Sequence, residues 1–186
     1  MSVRECAEFN MISKIELDLY ELMTAAQNGL TRVFESLRMG HEWGHGYKSS
    51  LNEKIARSIS GSSAELSCAK YLGIEFTYHV NYGNNPDLVF HDLHLQVRCQ
   101  LPKENNGLII RPKGAKPNEI YILAIDKSPI YEICGFINSS HVLGTNKYLT
   151  NLGYRLVGKT PLDSVFIYPQ KAYFDWVPET LRSLKV

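Results

Sequence analysis

Apolar residues in the first part of the chain recur at three- and four-residue steps, the spacing of an amphipathic helix. The pattern over residues 19–37 predicts a long helix that ends at Gly40. Residues 51–59 carry a shorter pattern of the same kind and predict a second helix. A turn at Gly61-Ser62-Ser63 then leads into a serine-capped third helix over residues 64–72.

The pattern changes after residue 73 to short runs rich in β-branched and aromatic residues, separated by turn residues such as Asn, Pro and Gly. Strands are predicted over residues 74–80, 87–90, 93–99, 108–111, 120–125, 131–137 and 165–168. This order predicts an α/β (α+β) fold with an N-terminal helical segment. Residues 1–60 are expected to form a helical arm packed on a core of residues 61–186, with one structural domain overall.

Composition restricts the class of protein. The 186 residues are 44% hydrophobic and 21% charged, with a formal net charge of +1, which is typical of one folded domain without a broadly basic surface. Contact with nucleic acid therefore requires a local basic patch. The four cysteines are widely separated, and no apolar run approaches the roughly 18 residues of a membrane span. We expect reduced thiols, no membrane partner and a cytoplasmic location.

One predicted hairpin gathers polar side chains. Residues 93–99 alternate apolar positions with His94, Gln96 and Arg98, so Gln96 and Arg98 share a face of the strand. A two-residue turn at His91-Asp92 fixes the antiparallel register. The expected cross-strand pairs are Val89 with His94, Leu88 with Leu95, and Asp87 with Gln96. A carboxylate, a carboxamide and a guanidinium are therefore expected together at one end of the hairpin.

Such a group of side chains suits metal-assisted phosphodiester chemistry, which needs hard oxygen ligands and a nearby cation. Asp87 and the amide oxygen of Gln96 can supply ligands for Mg²⁺ or Mn²⁺. Glu65 can add a second carboxylate if its helix packs beside the hairpin. Arg98 can hold a phosphate but stays protonated, so it is no general base. As an alternative, Asp87 caps the turn while Gln96 and Arg98 form a solvated strand face.

The order of Glu65 on a helix, then Pro86-Asp87, then Gln96-Val97-Arg98 on a strand resembles the PD-(D/E)XK nuclease superfamily. The stretch from Glu65 onward also resembles a group of small phage-encoded proteins, through three further matches. These are Ile110-Arg111-Pro112, Tyr121-Ile122-Leu123 and Gly135-Phe136-Ile137. The resemblance implies a restriction-endonuclease-like mixed central sheet flanked by helices. For a phage-encoded protein it also implies a location in the host cytoplasm.

The resemblance also implies a function. The superfamily's acid is Gln96 here and its lysine is Arg98, so the first expectation is a metal-dependent DNA nuclease of weakened activity, with Glu65, Asp87, Gln96 and Arg98 as its catalytic residues. The second is a catalytically inactive domain that binds nucleic acid or a host protein as a regulator or inhibitor. A homodimer is compatible with both. Candidate phosphate contacts are Lys48, Arg57, Arg98, Lys103, Arg111 and Lys113.

A competing motif lies earlier in the chain. His41-Glu42-Trp43-Gly44-His45 matches the His-Glu-x-x-His pattern of zinc proteases, in which two histidines one helical turn apart bind Zn²⁺. The motif needs a helix, but three glycines flank or interrupt it and no apolar stripe runs through it. A glycine-rich loop is therefore the expectation for this segment, with a zinc protease as the remote alternative.

Overall fold

The computed structural model describes residues 13–40, 49–80, 85–102, 107–110, 116 and 118–140, with the backbone of 149–150 and 165–169. Two long helices precede most of the strands. In chain order the elements are β1 Ser13–Glu16, α1 Leu19–Arg38, α2 Leu51–Leu72, β2 Leu88–Phe90, β3 Leu93–Gln100, β4 Gly107–Ile110, β5 Ile120–Lys127, β6 Ile130–Asn138, β7 Leu149–Thr150 and β8 Val165–Pro169.

Five strands form the main sheet, in the order β1-β6-β5-β3-β2. The pair β3 and β5 is parallel and the other neighbours are antiparallel, so the sheet is mixed. A second sheet has the order β4-β8-β7. Helices together with a mixed sheet confirm the predicted mixed α and β class.

Side-chain caps set the start of both long helices. Asp18 accepts a hydrogen bond from the Glu21 N–H at 2.9 Å, and the Glu21 carboxylate accepts one from the Asp18 N–H at 2.7 Å. Ser50 and Glu53 form the same reciprocal arrangement ahead of α2. These capping boxes satisfy backbone N–H groups that have no partner within the helix.

The predicted turn at Gly61-Ser62-Ser63 is wrong, because α2 runs through it without a break. Ser62 and Ser63 are buried, and Ser62 accepts a hydrogen bond from the Asn28 side chain of α1 at 2.9 Å instead of capping a new helix. Packing against α1 thus overrides the local preference of these residues for a turn. The expected boundary at residue 60 lies inside this continuous helix.

Two strand expectations also differ from the structure. Residues 74–80 form no strand; side-chain contacts with α1 hold them, including the Arg32 Nε–H bond to the His79 carbonyl at 3.1 Å. Strand β1 was not expected. It pairs with β6, so residues of the predicted helical arm contribute a strand to the main sheet.

The helices form a layer on the sheet in which α2 is the inner member. α2 packs on the strands, and α1 packs mainly on α2. The main core lies between α2 and the sheet, with Leu66, Leu72, Leu95, Val97 and Ile122 among its buried residues. No helix in the described part of the chain carries the long, uncharged apolar stretch that a bilayer span requires.

Small and polar residues bring α1 and α2 unusually close. A Cβ placed on Gly29 would lie 2.7 Å from both Cα and N of Ile59, so only glycine permits this approach. The Ser58 hydroxyl donates a hydrogen bond to the Gly29 carbonyl at 2.9 Å. This contact fixes the register of the two helices and places Arg32 of α1 beside Glu65 of α2.

Candidate functional site

The hairpin of β2 and β3 has the predicted register. Phe90 pairs with Leu93, Val89 with His94, and Leu88 with Leu95. Asp87 lies one residue before β2. Its N–H donates to the Leu95 carbonyl at 2.9 Å, and its Oδ2 accepts from the Val97 N–H at 2.8 Å. Two backbone contacts to β3 therefore fix Asp87 at the end of the hairpin.

Gln96 and Arg98 share one face of β3, as predicted. The Arg98 guanidinium lies 3.6 Å from Asp87 Oδ2, donates to the Gln96 Oε1 at 3.4 Å, and sits 5.1 Å from the centre of the Tyr121 ring. The Asp87 side chain is 11% exposed and that of Arg98 is 37% exposed. The Asp87 carboxylate is thus largely buried, while Arg98 remains open to solvent.

Glu65 lies on the buried side of α2 and is held by a cation from α1. Arg32 donates to its two carboxylate oxygens at 2.7 and 2.5 Å, and Nε2 of His79 lies 3.5 Å from Oε2. Arg32 and Glu65 are 4% and 5% exposed. The helix packs beside the hairpin, which is the condition for a role of Glu65 there, but both oxygens of Glu65 already have a strong partner.

The two buried carboxylates have different acidities. Burial, followed by the Glu65 charge, raises the pKa of Asp87 to about 6, against the opposing effects of Arg98 and the Val97 N–H. Burial also opposes ionisation of Glu65, but hydrogen bonds and charge from Arg32 and His79 outweigh it and lower the pKa of Glu65. Glu65 therefore stays ionised, whereas Asp87 changes protonation near neutral pH.

A third carboxylate, Glu119, was missed by sequence reasoning. It is 3% exposed and immediately precedes β5, the parallel neighbour of β3. Its oxygens accept hydrogen bonds from the Gln96 amide at 3.4 Å, the Tyr121 hydroxyl at 3.4 Å and the Lys116 N–H at 3.0 Å. The sequence could have indicated Glu119 only if the pairing of β3 with β5 had been known, and these two strands are not adjacent in the chain.

The predicted phosphate contacts are only partly placed. Arg57 is exposed on α2, and Arg98 belongs to the hairpin cluster. Lys48, Lys103, Arg111 and Lys113 lie outside the described residues, as does the His41-Glu42-Trp43-Gly44-His45 motif. Of the three cysteines that the structure describes, Cys68 and Cys134 are buried and Cys99 is partly buried.

Two of the three predicted metal ligands have oxygen atoms that are available to bind a cation. Within the described ranges, no three His, Cys, Asp or Glu side chains are arranged to hold a metal ion. Of the expected set, Asp87 uses only Oδ2 in its contacts with described residues, and Gln96 makes only long hydrogen bonds of 3.4 to 3.5 Å. Oxygens of these two side chains can serve a metal ion, while those of Glu65 are engaged by Arg32.

Comparison with known proteins identifies no matching family model, no similar curated protein and no similar solved structure.

Proposed function

We propose that this chain is a PD-(D/E)XK-like protein with a restriction-endonuclease-like core that cleaves DNA with the help of Mg²⁺ or Mn²⁺. The observation that carries the proposal is the convergence of Asp87, Gln96 and Arg98 at one end of the β2–β3 hairpin. Glu65 lies near enough for its charge to raise the pKa of Asp87. These residues bring together the oxygen ligands and the cation that phosphodiester cleavage needs.

Each side chain has a distinct role in this proposal. Asp87 and Gln96 would hold the metal ion through oxygen atoms, and the ion, when bound, would stabilise negative charge on the scissile phosphate and lower the pKa of a bound water. Arg98, held over Tyr121, binds a phosphate oxygen through its exposed guanidinium. Glu65 acts on the site through its negative charge, because Arg32 binds both of its carboxylate oxygens. Glu65 could bind the metal ion only if its hydrogen bonds with Arg32 were broken.

Cleavage of plasmid and single-stranded DNA by the purified chain, with Mg²⁺ or Mn²⁺, tests the proposal. Asp87→Asn should abolish cleavage, because it removes the one charged ligand of the hairpin. Asp92→Asn is the matched control, since Asp92 is an exposed carboxylate in the turn of the same hairpin. Absence of cleavage with both metals, or equal loss in the two variants, would overturn the proposal.

The pH dependence of cleavage gives a second readout. Protons and metal ions compete for the Asp87 carboxylate, whose pKa is raised to about 6. Cleavage should therefore decrease as the pH falls through this value, and higher Mn²⁺ concentration should move the midpoint to lower pH. If the midpoint pH does not change with the metal concentration, Asp87 is not a ligand of the metal ion.

A second function is favoured by one specific observation, the pairing of Glu65 and Asp87 with arginines. Arg32 binds Glu65 and Arg98 lies beside Asp87, so each of these two carboxylates has a cationic partner without a metal ion. On this alternative the domain is catalytically inactive and binds nucleic acid or a host protein, in the host cytoplasm for a phage-encoded chain. Binding should then survive chelator and Asp87→Ala but weaken in Arg98→Ala.

A further inference from the structure

Helix α1 has two different faces. Its inner face, with Ala25, Gly29, Arg32 and Val33, is buried against α2. A second face, beside the buried one, carries an apolar row that we call the outer stripe, formed by Leu19, Met23, Ala26, Leu30, Phe34 and Leu37, of which Ala26 and Leu30 are partly buried. Several large apolar side chains of α1 therefore lie outside the core of the chain.

The outer stripe is exposed to an unusual degree for large apolar side chains. Leu19 is 69% exposed, Met23 51%, Phe34 56% and Leu37 47%, and the adjacent Tyr20 is 79% exposed. Single exposed apolar residues are ordinary on protein surfaces, whereas a contiguous row along a helix marks an interaction surface.

We propose that two copies of this chain pair through the outer stripe, with the two α1 helices antiparallel about a two-fold axis near residue 28. This inference does not depend on the proposed function. The successive steps along the stripe are four, three, four, four and three residues, so its spacing is nearly the same in both directions. Antiparallel pairing thereby places Leu19 opposite Leu37, Met23 opposite Phe34, and Ala26 opposite Leu30 of the second copy.

Charges at the helix ends favour the same orientation. Asp18 is exposed where α1 begins, and the Arg38 side chain, which also pairs with Glu35 of the same helix, is 66% exposed where it ends. Antiparallel pairing brings Arg38 of one copy toward Asp18 of the other. It also places the two helix dipoles in opposite directions, which is the favourable arrangement. Parallel pairing would place like charges together at both ends. The helix is therefore self-complementary in shape and in charge.

The size of the stripe sets the expected strength of pairing. At 1.5 Å per residue the stripe is about 27 Å long. A contact of this length between two single helices buries on the order of 1,000 Å² in total, near the lower limit for a specific interface. We therefore expect a dimer that dissociates on dilution in the micromolar range.

Sedimentation velocity on the full chain, over roughly 1 to 100 μM, tests the pairing. A reversible dimer is expected, and Phe34→Glu should raise its dissociation constant at least about 30-fold, because the residue occurs twice in a two-fold interface. Val89→Glu is the matched control: Val89 is 52% exposed, similar to Phe34, but lies on β2. Circular dichroism and the melting temperature report whether each variant stays folded.

Cysteine cross-linking tests the orientation. In the antiparallel arrangement Met23→Cys and Phe34→Cys proteins should form a disulfide when mixed. Neither should link to itself, since each position lies about 16 Å from its own copy along the axis. Each variant alone also reports the background from the native cysteines. A chain that is monomeric throughout, a dimer unaffected by Phe34→Glu, or self-linking of the single variants would each overturn the proposal.

Discussion

Replacement of Asp87 by asparagine should stabilise the chain, and more so as the pH rises. Burial and the neighbouring Glu65 charge raise the pKa of Asp87 from 3.8 to about 6. Because the folded chain holds this proton more tightly than the unfolded chain, the associated stability is fully present below the unfolded-state pKa. It is lost as the pH rises through the folded-state value. Asparagine retains an oxygen acceptor for the Val97 N–H and carries no charge to bury.

The magnitude follows from the shift of the pKa. At 1.36 kcal/mol per pKa unit, the ionised Asp87 costs about 3 kcal/mol of unfolding free energy well above neutral pH. Part of this free-energy cost is already present at mildly acidic pH, because the carboxylate is then largely ionised in the unfolded chain but still protonated in the folded chain. The advantage of Asp87→Asn over the wild type should therefore increase by roughly 2 kcal/mol between about pH 4.5 and about pH 8.

Urea unfolding of both proteins at these two pH values measures the change directly. The attraction between Arg98 and the ionised Asp87 is already contained in the pKa of about 6, while repacking around the asparagine adds an offset that does not depend on pH. Only the change in the difference between the proteins therefore bears on the reasoning. Asp92→Asn, an exposed position in the same hairpin, should show no such change. A constant difference between wild type and Asp87→Asn at both pH values would refute the assigned pKa.

Three further substitutions test the packing of the helices. Arg32→Ala should lower the unfolding free energy at neutral pH by about 3 to 5 kcal/mol, because the buried Glu65 carboxylate loses the cation that binds both its oxygens and keeps only His79 nearby. A loss under about 1 kcal/mol in urea unfolding would contradict this. Gly29→Ala should cost about 1 to 3 kcal/mol, because its Cβ would meet the Ile59 backbone. Gly61→Ala, whose Cβ meets no atom within 4 Å, should instead raise the melting temperature through a gain of about 0.5 to 1 kcal/mol. Equal effects of the two glycine substitutions would show that the close approach of the helices is wrong.

The sequence predicts the hairpin well because its determinants are local. Alternation of apolar and polar residues in β3 assigns the faces, and a two-residue turn leaves one register that buries the apolar side. The pairs Val89 with His94 and Leu88 with Leu95 are therefore correct. The approach of Arg98 to Asp87 follows from the same register, although its distance required the structure.

Features that depend on distant parts of the chain were not predictable in this way. Arg32 reaches Glu65 only because Gly29 lets α1 and α2 pack closely. Glu119 reaches Gln96 only because β5 pairs with β3 in parallel across an intervening stretch of chain. Local preferences were also misleading where tertiary packing overrides them, as at Gly61, which suggested a turn but lies inside α2.

The edge strand β1 has a consequence for synthesis on the ribosome. Ser13 pairs with Ile133, about 120 residues later in the chain, so β1 is made long before its partner β6. At 5 to 20 residues per second, β1 waits roughly 6 to 24 s before β6 has been synthesised. The contacts between α1 and α2 need only the first 72 residues and can form during this interval. Completion of the main sheet is thus a late event in the biogenesis of this protein, and its nascent chain exposes an unpaired strand until most of the sequence has been translated.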